Sequence, residues 1–352
     1  MDAALTAALP WLDAGDPVAT ATVTATGGSA PRPRGAMLVA TGDGRFAGSV
    51  SGGCVENDVL AHAEQVLASG ESRLVQYGIS DEDAFAVGLA CGGTIEVFVA
   101  PARHVAETAD LLERNRPGAV ATIVAGPGIG AKAVIDLAAG IVAGTLPGAI
   151  TADVIADAAE LVAAERSLKV AYGDTIVFIQ ALPRRPRLVI FGAVHIAQVL
   201  SRMAADLGYD VTVSDHRPAF TTAERFPAAS RVVAAPTAEA VEAIEFDPST
   251  FIVVLSHDFR AEEPVLRAAF EAGCRYVGVL GSTRTHARRV EGLHRAGVGD
   301  EAIGRLHAPI GLDIGAATPG EIALSILAEM TAVRYRAGAA PELRGTARPR
   351  PA

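Results

Sequence analysis

From residue 187 onward, short apolar runs alternate with amphipathic segments, and this alternation constrains the fold more than any other feature of the chain. RLVIFG, DVTVSD, RVVAA, FIVVLSHD and YVGVLGS read as strands. IAQVLSRMAADLG, AEAVEAIE, EEPVLRAAFEAG and THARRVEGLHRAG, lying between them, read as helices. Near-continuous apolar strands joined by helical crossovers predict a parallel sheet wound on both faces. A last helix, TPGEIALSILAEMTAVRYRAG, is announced by Thr318 as N-cap, Pro319 at the first helical position and Glu321 at the third.

The first strand, turn, helix and strand of this region read LVIFGAVHIAQVLSRMAADLGYDVTVSDHR, residues 188–217. That is the layout of a dinucleotide-binding unit, whose turn carries G-x-G-x-x-G or G-x-G-x-x-A. Here the turn is G-A-V-H-I-A: Gly192 is kept, Val194 replaces the second glycine, and Ala197 stands third. Asp215 follows Gly192 by 23 residues, the usual interval for an acid that grips ribose hydroxyls. The alternative is an Asp that caps a turn. In open α/β sheets the ligand crevice lies beyond the carboxyl ends of the strands. His195, Asp215, Arg217, His257 and Ser282 all fall there and are candidate binding residues.

Upstream, ALPRRPRL marks a boundary, because Pro183 and Pro186 block regular pairing around Arg184 and Arg185. The expected organisation is a first domain over 1–183, a Rossmann-like domain over 184–338, and a Pro- and Arg-rich tail over 339–352 that reads as disordered. The first domain reads as mixed α/β, with β-like runs ending in Gly-rich turns and helices at 55–70, ARHVAETADLLERNR and ITADVIADAAELVAAER. No internal repeat is visible.

Two stretches of the first domain carry reactive residues. SGGCVE sets Cys54 behind Gly52 and Gly53, and LACGGTIE sets Cys91 before Gly92 and Gly93. Paired glycines let a backbone approach a ligand closely. A helix follows Cys54, and helix N-termini favour anions and thiolates. Cys54 therefore reads as a reactive thiolate, as part of a phosphate cradle, or as a small apolar residue in a crowded turn. Arg32 and Arg34 flank Pro33 in SAPRPRGA, where stiffly held guanidiniums suit phosphate or carboxylate, or simply solvent. Glu56 reads as a helix-dipole partner, and Cys274 as core. His307 stands in a Gly-rich loop before the last helix, whose N-terminus beyond Thr318 is a further candidate anion site. No metal-ligand spacing is present.

The chain has 352 residues and a formal net charge of -10, which argues against a partner bound through nucleic-acid phosphates. Three cysteines make no disulfide framework and point to the reducing cytoplasm. The N-terminal stretch lacks a basic n-region, and no apolar run is long enough to span a bilayer, so no membrane insertion is expected.

Taken together, GSAPRPRGAMLV, GSVSGGCVE, GLACGGTIEVFV, the 188–217 unit, YVGVLGSTRTHARR and RLHAPIGLDIGAATPGEIALSILAE resemble the XdhC/CoxI family over nearly the whole chain. The resemblance implies an XdhC/CoxI-type domain followed by a Rossmann domain, often assembled as a homodimer. It implies an accessory factor rather than a free-standing enzyme. Such a factor binds the molybdenum cofactor (molybdopterin), supports its sulfuration with a cysteine desulfurase, and inserts it into an apo molybdenum hydroxylase of the xanthine dehydrogenase or CO dehydrogenase class. Cys54 and Cys91 fall on the family's glycine-flanked cysteines, which implies a cofactor-contacting or sulfur-handling thiol. The family turn resembles G-A-G-H-V-G. Val194 departs from it, where a pyrophosphate needs bare backbone. Two other readings stand beside this one: an NAD(P)-dependent oxidoreductase, and a non-catalytic interaction scaffold.

Overall fold

The computed structural model describes residues 3–78, 93–256 and 259–336. Cys91, Gly92, His257 and the 339–352 tail lie outside the described residues. The chain divides into two compact units, the first reaching Arg184 and the second starting at Arg185.

The first unit is a topological duplication. Helix α1 (Ala3–Asp13) is followed by β1 (Val18–Gly27), β2 (Met37–Thr41), β3 (Phe46–Gly48), helix α2 (Glu56–Ser69), β4 (Arg73–Tyr77) and β5 (Thr94–Pro101). Helix α3 (Val105–Glu113) then opens the same series: β6 (Gly118–Ala125), β7 (Lys132–Asp136), β8 (Gly140–Gly144), α4 (Gly148–Ala163), β9 (Leu168–Tyr172) and β10 (Thr175–Leu182). Two five-stranded sheets result, ordered β3-β2-β1-β5-β4 and β8-β7-β6-β10-β9. The match reaches individual hydrogen bonds. Gly35 N–H donates to Val23 O at 2.8 Å, and Gly130 N–H donates to Ile123 O at 2.9 Å.

The period-two alternation of each strand makes the layers. Ala19, Ala21 and Val23 of β1 pack with Val59, Ala63 and Val66 of α2. Ala119, Ala121 and Ile123 of β6 pack with Val154, Ala158 and Leu161 of α4. The opposite faces meet, where Phe98 and Ala100 touch Val124 and Phe178. The repeat escapes the sequence because it preserves alternation and pairing rather than residue identity. Helix α1 and strands β7 to β9 also carry no clear sequence signal. Strands of five residues broken by Gly140 and Gly144 are too short to show a period.

The second unit contains β11 (Arg187–Phe191), α5 (His195–Asp206), β12 (Asp210–Asp215), β13 (Arg231–Ala234), α6 (Thr237–Ala243), β14 (Thr250–Val254), α7 (Phe259–Glu271), β15 (Tyr276–Val279), α8 (Thr283–Arg295), α9 (Asp300–Ile303), β16 (Leu306–His307) and α10 (Pro319–Arg336). Its six strands are parallel and ordered β13-β12-β11-β14-β15-β16, the doubly wound arrangement expected from the alternation. Strand β11 shows why both faces are apolar. Leu188 and Ile190 pack on α5 and α10, while Val189 and Phe191 pack on α6 and α7. Helix α10 begins with a capping box: Glu321 accepts the N–H of Thr318 at 2.7 Å, and the Thr318 hydroxyl accepts the N–H of Glu321 at 3.3 Å.

Candidate functional site

The SVSGGCVE loop between β3 and α2 is built around Glu56. Its carboxylate accepts the Ser49 hydroxyl at 2.6 Å, the Ser51 hydroxyl, and the backbone N–H groups of Ser51 and Gly53, both at 2.9 Å. The Ser51 hydroxyl oxygen in turn accepts the N–H of Cys54 at 2.9 Å and of Val55 at 3.0 Å. Gly52 and Gly53 have φ of +78° and +113°, a region that admits glycine without strain. Burial opposes ionisation of Glu56, but the donors from Ser49 and Ser51 outweigh it and hold the pKa near 2.

This corrects two expectations. Glu56 is the hub of the loop rather than a dipole partner alone. The loop also forms no phosphate cradle, because its inward N–H groups are already taken by Glu56, Ser49 and Ser51. What the loop offers outward is the Cys54 thiol, which is free and exposed. Cys274 is buried, and burial with the nearby Asp247 pushes its thiol up to about 12.

The SAPRPRG loop joins β1 to β2 and is five residues longer than its counterpart in the second half, measured between the matched pairs Val23–Gly35 and Ile123–Gly130. Arg34 lines a cleft of about 330 Å³ with Arg32, Gly48, Ser167 and Gln180. Its Nε is buried without a hydrogen-bond partner. Burial and the charge of Arg166 both lower the Arg34 pKa, the situation of a guanidinium that lacks a counter-anion. Gln180 fixes the loop by donating to Gly35 O at 3.1 Å. Gly48, where the Cys54 loop begins, lines the same cleft. Gly93 backs onto this loop: a Cβ there would stand 2.8 Å from the carbonyl carbon of Ser29.

In the second unit a pocket of about 400 Å³ opens at the carboxyl edge of the sheet, lined by Gly192, Val194, Asp215 and Arg217 among others. Asp215 does not present a free carboxylate for a ribose. It accepts the N–H of Ala193 at 2.8 Å, and from Arg217 the backbone N–H at 3.0 Å, Nε at 2.9 Å and Nη2 at 2.8 Å. A carboxylate has about four acceptor sites, and all are in use here. Burial raises the Asp215 pKa, but Arg217 and Ala193 override it and hold the value near 2. Val194 is the N-cap of α5 with φ −86° and ψ 176°, a conformation that needs no glycine, and its side chain packs on the core.

The remaining candidates are dispersed. His195 opens α5 and is exposed. Ser282 is the N-cap of α8, its hydroxyl accepting from Thr285 N–H at 3.2 Å. His307 Nδ1 lies 3.1 Å from Glu329, its ring stacked on Tyr276, and Glu329 also accepts the Gly311 N–H at 2.8 Å. That network ties the HAPIG turn to α10. The N-terminus of α10 is not open to an anion, since Glu321 occupies it. Sequence reasoning passed over Ser49, Arg166 and Gln180. Ser49 and Ser51 stand seven and five residues before Glu56, intervals that match no capping box, and nothing local announces Arg166 or Gln180. Among the described residues no group of three or more His, Cys, Asp or Glu is placed to hold a metal ion, and no helix is long and apolar enough to cross a membrane.

Residues 11–78 match the family described as XdhC and CoxI, and residues 188–330 match the XdhC Rossmann domain. A probable xanthine dehydrogenase subunit of Bacillus subtilis (strain 168) is 30% identical over 325 residues, covering 90% of this chain and 93% of that one. The chain belongs to the XdhC and CoxI family. The molybdenum cofactor insertion chaperone PaoD of Escherichia coli (strain K12) is also similar, 30% identical over 87% of this chain and 80% of its own. The crystal structure of a xanthine dehydrogenase from Bacillus halodurans superposes with a TM-score of 0.77 at 25% identity, over 97% of this chain and 98% of that one. The XdhC and CoxI match at 11–78 contains both Arg34 and the whole Glu56-centred loop.

Proposed function

We propose that this protein is a molybdenum cofactor chaperone that holds the cofactor as cargo in its first unit and delivers it to an apo molybdenum hydroxylase. The observation that carries this reading is the joining of two features at Gly48: a cleft lined by Arg34, whose buried Nε has no hydrogen-bond partner among the described residues, and a rigid loop presenting the exposed Cys54 thiol. An anionic group such as the terminal phosphate of a pterin supplies the counter-charge that Arg34 lacks. A thiol is a soft ligand suited to the metal or sulfur end of the same molecule. The similarity to PaoD, a molybdenum cofactor insertion chaperone, supports the reading. The finer steps are part of the same proposal: sulfuration with a cysteine desulfurase, a xanthine dehydrogenase or CO dehydrogenase-class recipient, action as a homodimer in the cytoplasm, and Cys54 as the thiol nearest the sulfur chemistry. Gly93 borders the SAPRPRG loop at Ser29, and the family resemblance adds Cys91 and Gly92 to the proposed cofactor-contacting residues.

The test is mass spectrometry of the small molecule released from wild type, Cys54→Ala and Arg34→Ala purified from a molybdenum-replete host. The expected result is pterin from wild type and a loss of about tenfold or more in occupancy for each variant, the size of one charged hydrogen bond. Absence of pterin from wild type, with titration of added cofactor also negative, overturns the proposal.

A further inference from the structure

The duplication brings one rung of each sheet to the same place. In the first sheet Thr22 pairs with Met37 on one side and Phe98 on the other. In the second sheet Thr122 pairs with Lys132 and Phe178. All six side chains line one cavity between the sheets, of about 20 Å³. Two of the matched pairs keep their residue type, threonine with threonine and phenylalanine with phenylalanine. The third does not, and the break in the match puts a cation where the other half has methionine.

Among the described residues no carboxylate pairs with that cation. The groups that act on Lys132 are burial and the Arg103 charge, and both push its pKa down, to about 8. Arg103 lines the same cavity. The carboxylate of Glu96 in the same interlayer is already held by Lys169 at 2.6 Å and Thr24 at 2.7 Å. Lys132 is half-buried, and an ammonium drawn partly out of water beside a second cation is costly unless it gains an anionic or hydrogen-bonding partner. The cavity exceeds the roughly 10–15 Å³ that one water needs, and is far too small for a sugar, a pterin or a phosphate ester. Threonine hydroxyls on opposite walls are free to rotate and donate.

We infer that this cavity binds a small monovalent anion of halide size, held by the Lys132 ammonium and the Thr22 and Thr122 hydroxyls, with Arg103 adding charge. The ion completes a pairing that the fold leaves open and ties the two halves of the first unit together across the interlayer. The site is separate from the Cys54 loop and does not rest on the chaperone reading.

The experiment is thermal unfolding of the full chain in sodium bromide against sodium gluconate at equal ionic strength, with anomalous scattering from crystals grown in bromide. Bromide is expected to raise the wild-type midpoint in a saturable way, and one ordered bromide is expected against Lys132. Lys132→Met, which restores the residue of the matched rung, is expected to fold and to lose both signals. Thr122→Val is expected to weaken bromide binding about fivefold. The inference is overturned by an equal bromide shift in Lys132→Met and wild type, or by no shift in wild type. An adventitious ion only, with bromide at surface arginines and none in the cavity, also overturns it. Should Lys132→Met not fold, an unchanged bromide midpoint in Thr122→Val overturns it instead.

Discussion

Glu56 accepts the Ser49 hydroxyl at 2.6 Å, and the same carboxylate closes the loop over the amides of Ser51 and Gly53. Glu56→Gln keeps the shape and removes the charge. Hydrogen bonds to charged groups contribute about 1.5–3 kcal/mol, so a loss of about 2 kcal/mol is expected. In a unit of this size that lowers the unfolding midpoint by roughly 4–8 °C. The folded pKa lies below the unfolded one, so the stabilisation is fully present above the ordinary carboxylate pKa of about 4.3 and fades as the pH falls further. Wild type and Glu56→Gln should therefore differ near neutrality and converge as the pH approaches about 2, as read by calorimetry.

The exposed Cys54 and buried Cys274 should separate in thiol labelling. Native protein treated with a disulfide reagent should label quickly at Cys54 and only on unfolding at Cys274, whose thiol is pushed up to about 12. Cys54→Ser should remove one fast equivalent, and Cys274→Ser none. Peptide mapping after a short pulse checks both.

The Asp215–Arg217 pair predicts that restoring the turn glycine is not enough for dinucleotide binding. Val194→Gly clears the backbone, but Asp215 stays engaged by Arg217 and the Ala193 amide. In calorimetric titration with NADH, Val194→Gly alone should bind no better than wild type. Val194→Gly with Arg217→Ala should gain about tenfold or more, since one freed charged acceptor is worth about 1.5 kcal/mol.

Glu262 and Arg289 form an ion pair at 2.8 Å with side chains 3% and 2% exposed. Removing one partner leaves a buried charge alone, so Arg289→Ala should cost about 3–5 kcal/mol. Replacing both with methionine should be near neutral or stabilising. Chemical unfolding of the two variants against wild type distinguishes this from a purely steric effect.

Much of the second unit was legible because its signals are local. Strand and helix periods, the Thr318–Glu321 box and the Gly192 turn each involve residues within a few positions of one another. Asp215 shows where that stops. Its interval from Gly192 is right for a ribose ligand, yet its hydrogen bonds depend on how Arg217 turns back, which no spacing encodes. Ser282 is a similar case: a strand-end hydroxyl in the sequence, a helix cap in the fold.

The sequence by itself determined the alternation that builds the parallel sheet, the glycines that let the Cys54 loop turn, and the membership of the XdhC and CoxI family. Tertiary structure alone decided that the first unit is a duplication, that Glu56 draws the loop amides inward, and that Lys132 faces Thr22 across 110 residues of chain. The reason is range. Periodicity records neighbours two to four residues apart, whereas pairing between strands and sheets is set by which distant faces bury one another. Those partners carry no shared local pattern until the chain has folded.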